Sequence, residues 1–96
     1  MVYSIEELTA IVKDIVADYP DKRVILIGSY AKNTATDKSD VDLVLDGDDL
    51  SEAYWDVLFA LEDRLKISVD VMTMRGINSS VIKDSMLEGS ITLYED

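Results

Sequence analysis

The stretch Gly28-Ser29-Tyr30-Ala31-Lys32-Asn33-Thr34-Ala35-Thr36-Asp37-Lys38-Ser39-Asp40-Val41-Asp42 decides how this chain is read. Val24-Ile25-Leu26-Ile27 precedes it, a short run apolar on both faces, as a central strand requires. Gly28-Ser29 breaks that run. A tight passage from strand to helix exposes backbone N–H groups, glycine allows close approach, and Ser29 adds a hydroxyl donor. Lys32, one turn on, supplies a positive charge. Residues 34–39 read as a polar loop. Asp40 to Leu45 then alternates, with Asp40, Asp42 and Val44 on one face and Val41, Leu43 and Leu45 on the other.

Two aspartates spaced this way point in the same direction with Cα atoms about 6.6 Å apart, so their carboxylates can converge on a shared cation. Magnesium is held by a few carboxylates together with phosphate oxygens and water. Ile67 to Thr73 repeats the pattern, with Asp70 between Val69 and Val71. Each piece alone is ordinary: Gly-Ser is common turn material, D-x-D arises easily in an acidic chain, and Asp70 also suits an edge strand that discourages aggregation. Their setting separates them from that background. Aspartate is disfavoured in strands, and two charges about 4 Å apart repel by about 4 kcal/mol at an effective dielectric of 20. A patch of three calls for a neutralising cation. The acidic run Asp46-Gly47-Asp48-Asp49 is not a calcium loop: counted from Asp40, Val44 and Leu45 stand where an Asp/Asn and a glycine are required.

Working outward, Ser4 and Glu7 form an S-x-x-E capping box, and Ile5, Leu8, Ile11, Val12, Ile15 and Val16 recur at helical spacing. This predicts a helix over 5–18, stopped by Pro20. Tyr30 to Asn33 reads as one helical turn. Ser51 is expected to cap a second long helix with Ala53, Val57, Leu58, Leu61 and Leu65 on its inner stripe. Tyr54, Trp55 and Phe59 lie along it as core or interface. Ser79 or Ser80 caps a short helix reaching Leu87, and Ile91–Tyr94 reads as a final strand or extended tail. The expected architecture is α/β (α+β): a small mixed sheet with helices mainly on one face, forming one domain over residues 1–96.

Composition narrows the chemistry. Twenty acidic residues face nine basic ones, a net charge of −11. Such a surface disfavours nucleic acid and anionic membrane, and favours cationic partners or divalent metal. The chain has no cysteine and no histidine, which excludes thiolate chemistry and Ser-His-Asp catalysis. Carboxylates, hydroxyls, lysine, tyrosine and bound metal remain. No apolar run approaches the ~20 residues of a membrane helix, and the N-terminus lacks a signal-peptide layout. The default expectation is a cytoplasmic bacterial or archaeal protein.

The quoted stretch resembles the signature of the minimal nucleotidyltransferase (MNT) family, within the DNA polymerase β-like nucleotidyltransferase superfamily. That signature runs Gly-Ser-x-Ala-Arg-Gly-x-Ala, three free positions, then Ser-Asp-hydrophobic-Asp. The similarity extends over almost the whole chain, including the ending Glu88-Gly89-Ser90-Ile91-Thr92-Leu93-Tyr94-Glu95. It implies a polymerase β-like fold and a nucleotide site at Gly28, Ser29, Lys32 and Ser39. It also implies catalytic and metal-binding roles for Asp40, Asp42 and Asp70, with two Mg²⁺ ions and ATP as substrate. Two positions depart from the pattern: Lys32 stands where arginine is usual, and Asn33 where glycine is usual. Asparagine tolerates a left-handed backbone better than most residues.

Family members are often encoded beside a HEPN-domain toxin. The implied function is therefore an antitoxin that transfers AMP to a tyrosine of that partner. The alternative is a catalytically idle module that neutralises the toxin by binding alone. A small-molecule transferase is a third class, but such enzymes carry a further helical acceptor-binding region that these 96 residues do not contain.

Overall fold

The computed structural model describes residues 2–20 and 22–96. Helix α1 spans Ile5–Val16 and opens as its capping box dictates: the Glu7 N–H donates to Ser4 Oγ (3.0 Å), and the Ser4 N–H donates to Glu7 Oε1 (2.9 Å). It ends two residues earlier than the periodicity suggests. Pro20 disfavours helical backbone at Tyr19, whose N–H turns back to the Val16 carbonyl (3.1 Å).

The remaining elements are β1 (Arg23–Ile27), α2 (Gly28–Ala31), β2 (Val41–Asp46), α3 (Asp48–Glu52), α4 (Tyr54–Leu65), β3 (Val69–Thr73), a 3₁₀ turn (Met74–Gly76), α5 (Ser80–Leu87) and β4 (Ile91–Glu95). The sheet order is β3-β2-β1-β4. β1 runs antiparallel to β2 and β4, while β2 and β3 are parallel and joined through α3 and α4. The sheet is mixed, as expected, and Ile91–Tyr94 does form a strand.

The alternation along each strand divides the core in two. Val24, Leu26, Val41, Leu43, Leu45, Val69 and Val71 pack with Leu8, Val12 and Val16 of α1 and Val57, Leu61 and Leu65 of α4. Ile25, Ile27 and Val44 face the other way, under Met72, Met74, Ile77, Met86 and Leu87. The middle strands are thus covered on both faces, which is why β1 reads as an unbroken apolar run. Arg64 and Asp14 link α4 to α1 (2.7 Å), and the Tyr3 hydroxyl donates to the Leu65 carbonyl (2.6 Å), satisfying an orphan acceptor at the end of α4.

One expected boundary moves. Ser51 caps no helix; it is buried inside α3, which starts at Asp48 after the left-handed Gly47 (φ 129°). A break at Ala53 separates α3 from α4. The acids Asp48 and Asp49, whose run the sequence reads as a turn plus helix N-terminal charge, do lie in the first turn of α3, where the helix dipole favours them. At the short helix near the C-terminus, Ser79 is the cap: its Oγ accepts from the Ile82 N–H (3.4 Å).

Candidate active site

The site is built where β1 ends. Its last residue, Ile27, pairs with Asp42 of β2, and Asp42 pairs in turn with Asp70 of β3. Paired residues share a face, so both aspartates lie on the side of Ile27, Val44 and Met72. There the two carboxylates come close enough to act on each other. Burial, then the Asp70 charge, then the Asp40 charge, hold the Asp42 carboxyl above its ordinary pKa.

Gly28 completes this corner. Its φ of +75° is left-handed, and a side chain there would begin in the space of Asp42 Oδ2, with the Asp42 Cγ only 3.3 Å away. The glycine is required by backbone conformation and by the carboxylate together. α2 starts at this residue with no side-chain cap on its first turn, leaving those N–H groups open to an anionic ligand. The carbonyl of half-buried Ser29 accepts from the Thr34 N–H (2.9 Å) and so fixes the following turn. Asn33 takes φ 59°, the left-handed conformation a glycine would supply.

The other expected site residues are placed less centrally. Asp40 precedes β2 and is exposed; it acts on Asp42 through its charge. Among the described residues, no three acids converge tightly enough to form a ready-made metal cluster. Like charges resist closer approach, and Asp40 lies outside the strand that fixes Asp42. Ser39 closes its own loop, its Oγ accepting from the Thr36 N–H (2.9 Å). Lys32 lies across Gly89, where an added Cβ would sit 3.6 Å from its Cε, so the exposed cation reaches the turn between α5 and β4.

The donor set suits magnesium. It is all carboxylate oxygen, and the Asp42–Asp70 pair carries repulsion that a cation would relieve. Asp42 and Asp70, with Asp40 able to join them, are the residues that could hold it.

Two hollows lie elsewhere. One of about 270 Å³ is walled by Lys22, Arg23, Asp46, Gly47, Glu95 and Asp96. Its charges are largely paired internally: Arg23 with Asp46 (2.9 Å) and Lys22 with Asp96 (3.6 Å). Lys22, only 4% exposed, also donates to the Tyr19 carbonyl and faces the Tyr94 ring. The other, about 460 Å³, lies at the far end of β3 between Tyr54, Val71, Thr73, Arg75 and Ile77. No motif marks it in the sequence, because its walls come from separate elements brought together by the crossover.

Comparison with known proteins fits this geometry. The sequence model of the nucleotidyltransferase domain matches residues 5–92, and the chain belongs to that family. Two relatives from Methanocaldococcus jannaschii are provisionally named protein adenylyltransferases. MJ1379 is 32% identical over 92 residues, covering 91% of this chain and 92% of that protein. MJ0126 is 30% identical over 88 residues, covering 82% and 83%. The fold also matches a chain of a crystal structure of a toxin–antitoxin with AMP-PNP (TM-score 0.71, 20% identity, 92% of this chain and 73% of that one). A second match is to the complex of a tri-AMPylated Shewanella oneidensis HEPN toxin with MNT antitoxin (TM-score 0.63, 20% identity, 96% and 70%). The protein is a nucleotidyltransferase with the polymerase β-like fold.

Proposed function

We propose that this nucleotidyltransferase moves AMP from ATP to a tyrosine hydroxyl of a HEPN-domain toxin and so acts as its antitoxin. The observation that carries the reading is the register Asp42 opposite Asp70, beside the Gly28–Ser29 turn. The names of the relatives and the AMPylated toxin in a neighbouring structure support the choice of AMP and of partner.

In this reading the open N–H groups of α2 and the Ser29 hydroxyl hold the triphosphate, and Lys32 adds positive charge. Asp40, Asp42 and Asp70 would hold Mg²⁺, as one or two ions, which when bound neutralises phosphate charge and steadies the attacking and leaving oxygens. Asp70 takes the proton of the acceptor hydroxyl. The hydroxyl oxygen bonds to the α-phosphorus, the bond from that phosphorus to the bridging oxygen breaks, and pyrophosphate leaves with the electron pair. Asp70 suits a bulky acceptor because it is exposed on an edge strand. A net charge of −11 favours docking to a basic RNA-cleaving protein over direct contact with nucleic acid or membrane, and the proposed compartment is the cytoplasm.

A second reading, toxin neutralisation by binding alone, draws on the exposed position of Asp40 outside β2. One experiment separates them. With Mg²⁺ and ATP labelled at the α-phosphate, wild type labels the HEPN partner and Asp42→Asn does not. If Asp42→Asn neutralises the toxin in cells as fully as wild type, transfer is dispensable and the binding reading replaces this one.

A further inference from the structure

Helix α4 buries Val57, Leu61 and Leu65 but turns two large aromatic side chains to solvent: Trp55 is 63% exposed and Phe59 59%. They are one helical turn apart, and their rings pack against each other with centroids 5.9 Å apart. Tyr54 meets the Trp55 ring edge-on (5.1 Å, 82°) and also walls the 460 Å³ hollow beside β3. An apolar ridge therefore runs directly into a cavity. Isolated surface apolar residues need no explanation, but a stacked pair joined to a hollow is the form of an interaction site.

The surrounding charge selects the occupant. Exposed Glu52, Asp56 and Glu62 flank the aromatic pair, while Asp63 beyond them is paired with Lys66 (3.3 Å). A second copy placed here by two-fold symmetry would bring the same acids face to face, between two chains each carrying −11. Around the two rings the complementary surface is a basic one; the hollow beside them carries a single cation, Arg75, and takes an apolar or acidic side chain of the same partner. We propose that Trp55 and Phe59, with the adjoining hollow, are the docking surface for a basic protein partner, which buries both rings and pairs its lysines and arginines with the flanking acids. The two rings stand on α4, across the sheet from the aspartate pair, and the hollow wraps the β3 edge to Met72 on the aspartates' side, so the rings that hold the partner are distinct from the acids that modify it. The proposal rests on the partner class named above.

The probe is a purified HEPN-domain protein, taken from the adjacent reading frame if that frame encodes one. Trp55 is the single tryptophan, so its emission reports on the surface directly. Binding should shift that emission to shorter wavelength. Trp55→Ala/Phe59→Ala should weaken binding about thirtyfold or more, the factor a central aromatic anchor carries, with an unchanged melting temperature because neither ring is in the core. In label transfer the same variant should raise KM and leave kcat near wild type. Full-strength binding by the double variant, with transfer intact, would overturn the docking surface and leave the transferase reading standing. Loss of binding in the variant with no transfer by wild type would do the reverse. No binding by wild type, or a wild-type dimer that the variant makes monomeric, would overturn the basic-partner proposal.

Discussion

The carboxylate of Asp42 occupies the space in which a side chain on residue 28 would begin, so the left-handed Gly28 and the acid next to it are parts of one device. Gly28→Ala should act twice. Forcing alanine to φ +75° and pushing aside Asp42 should together cost about 1–3 kcal/mol of stability. Transfer should fall well beyond what that loss of folded protein explains, because Asp42 is displaced. Denaturant unfolding run beside a transfer assay checks both; a variant as stable and as active as wild type would show that the corner is not tight.

Asp42→Asn separates stability from activity in the opposite direction. Burial and the neighbouring Asp70 raise the Asp42 carboxyl, so the folded protein holds that proton more tightly than the unfolded chain. The resulting stability is fully present below the unfolded value, near 3.9, and is lost as pH rises through the higher folded value. At pH 7 the ionised pair is a burden. Asp42→Asn should therefore melt slightly higher than wild type in EDTA, by about 1 kcal/mol or less, while losing transfer. The gain should shrink as pH falls through the carboxylate range. Thermal melts at pH 7 and pH 3.5 test the sign.

Tyr30 offers a core test. It is 4% exposed, and its hydroxyl has no hydrogen-bond partner among the described residues. An unpaired buried hydroxyl costs about 1–3 kcal/mol. Tyr30→Phe should therefore leave the melting temperature unchanged or raise it. A loss of 1 kcal/mol or more would mean that the hydroxyl has a partner in solution.

Asn33 stands where the family pattern has glycine, and its backbone is left-handed at φ 59°. Asn33→Gly should be neutral within about 0.5 kcal/mol, whereas Asn33→Val, β-branched at positive φ, should cost about 1–2 kcal/mol. Equal stability of the two variants, read by denaturant midpoint, would mean that this turn relaxes freely.

Much of this was legible in the sequence because it is local. The alternation assigns faces correctly within Val41–Leu45 and Val69–Thr73, where Asp42 and Asp70 do fall on one face of paired strands, while Asp40 lies just before the strand expected to align it. The Ser4–Glu7 box sets the start of α1. What sequence could not supply is tertiary. Gly28 looks like an opening for a ligand, yet the nearest approach to it is made by Asp42, from a strand paired across the sheet. Ser39 belongs to a motif but spends its hydroxyl on Thr36. Ser51 has the identity of a cap, yet Gly47 begins the helix earlier and buries it. Trp55 and Phe59 fit a core stripe or an interface equally well by spacing; the rotation of α4 on β3 decides that they face outward.

The central claim is that Asp42 and Asp70 together hold a divalent cation, and magnesium titration followed by thermal melting tests it most directly. Mg²⁺ at ten times its dissociation constant should stabilise wild type by about 1.4 kcal/mol, several degrees for a chain of this size, with sodium at matched ionic strength as control. Asp42→Asn and Asp70→Asn should each lose the shift. A wild type indifferent to magnesium, or variants that respond as wild type does, would contradict the account.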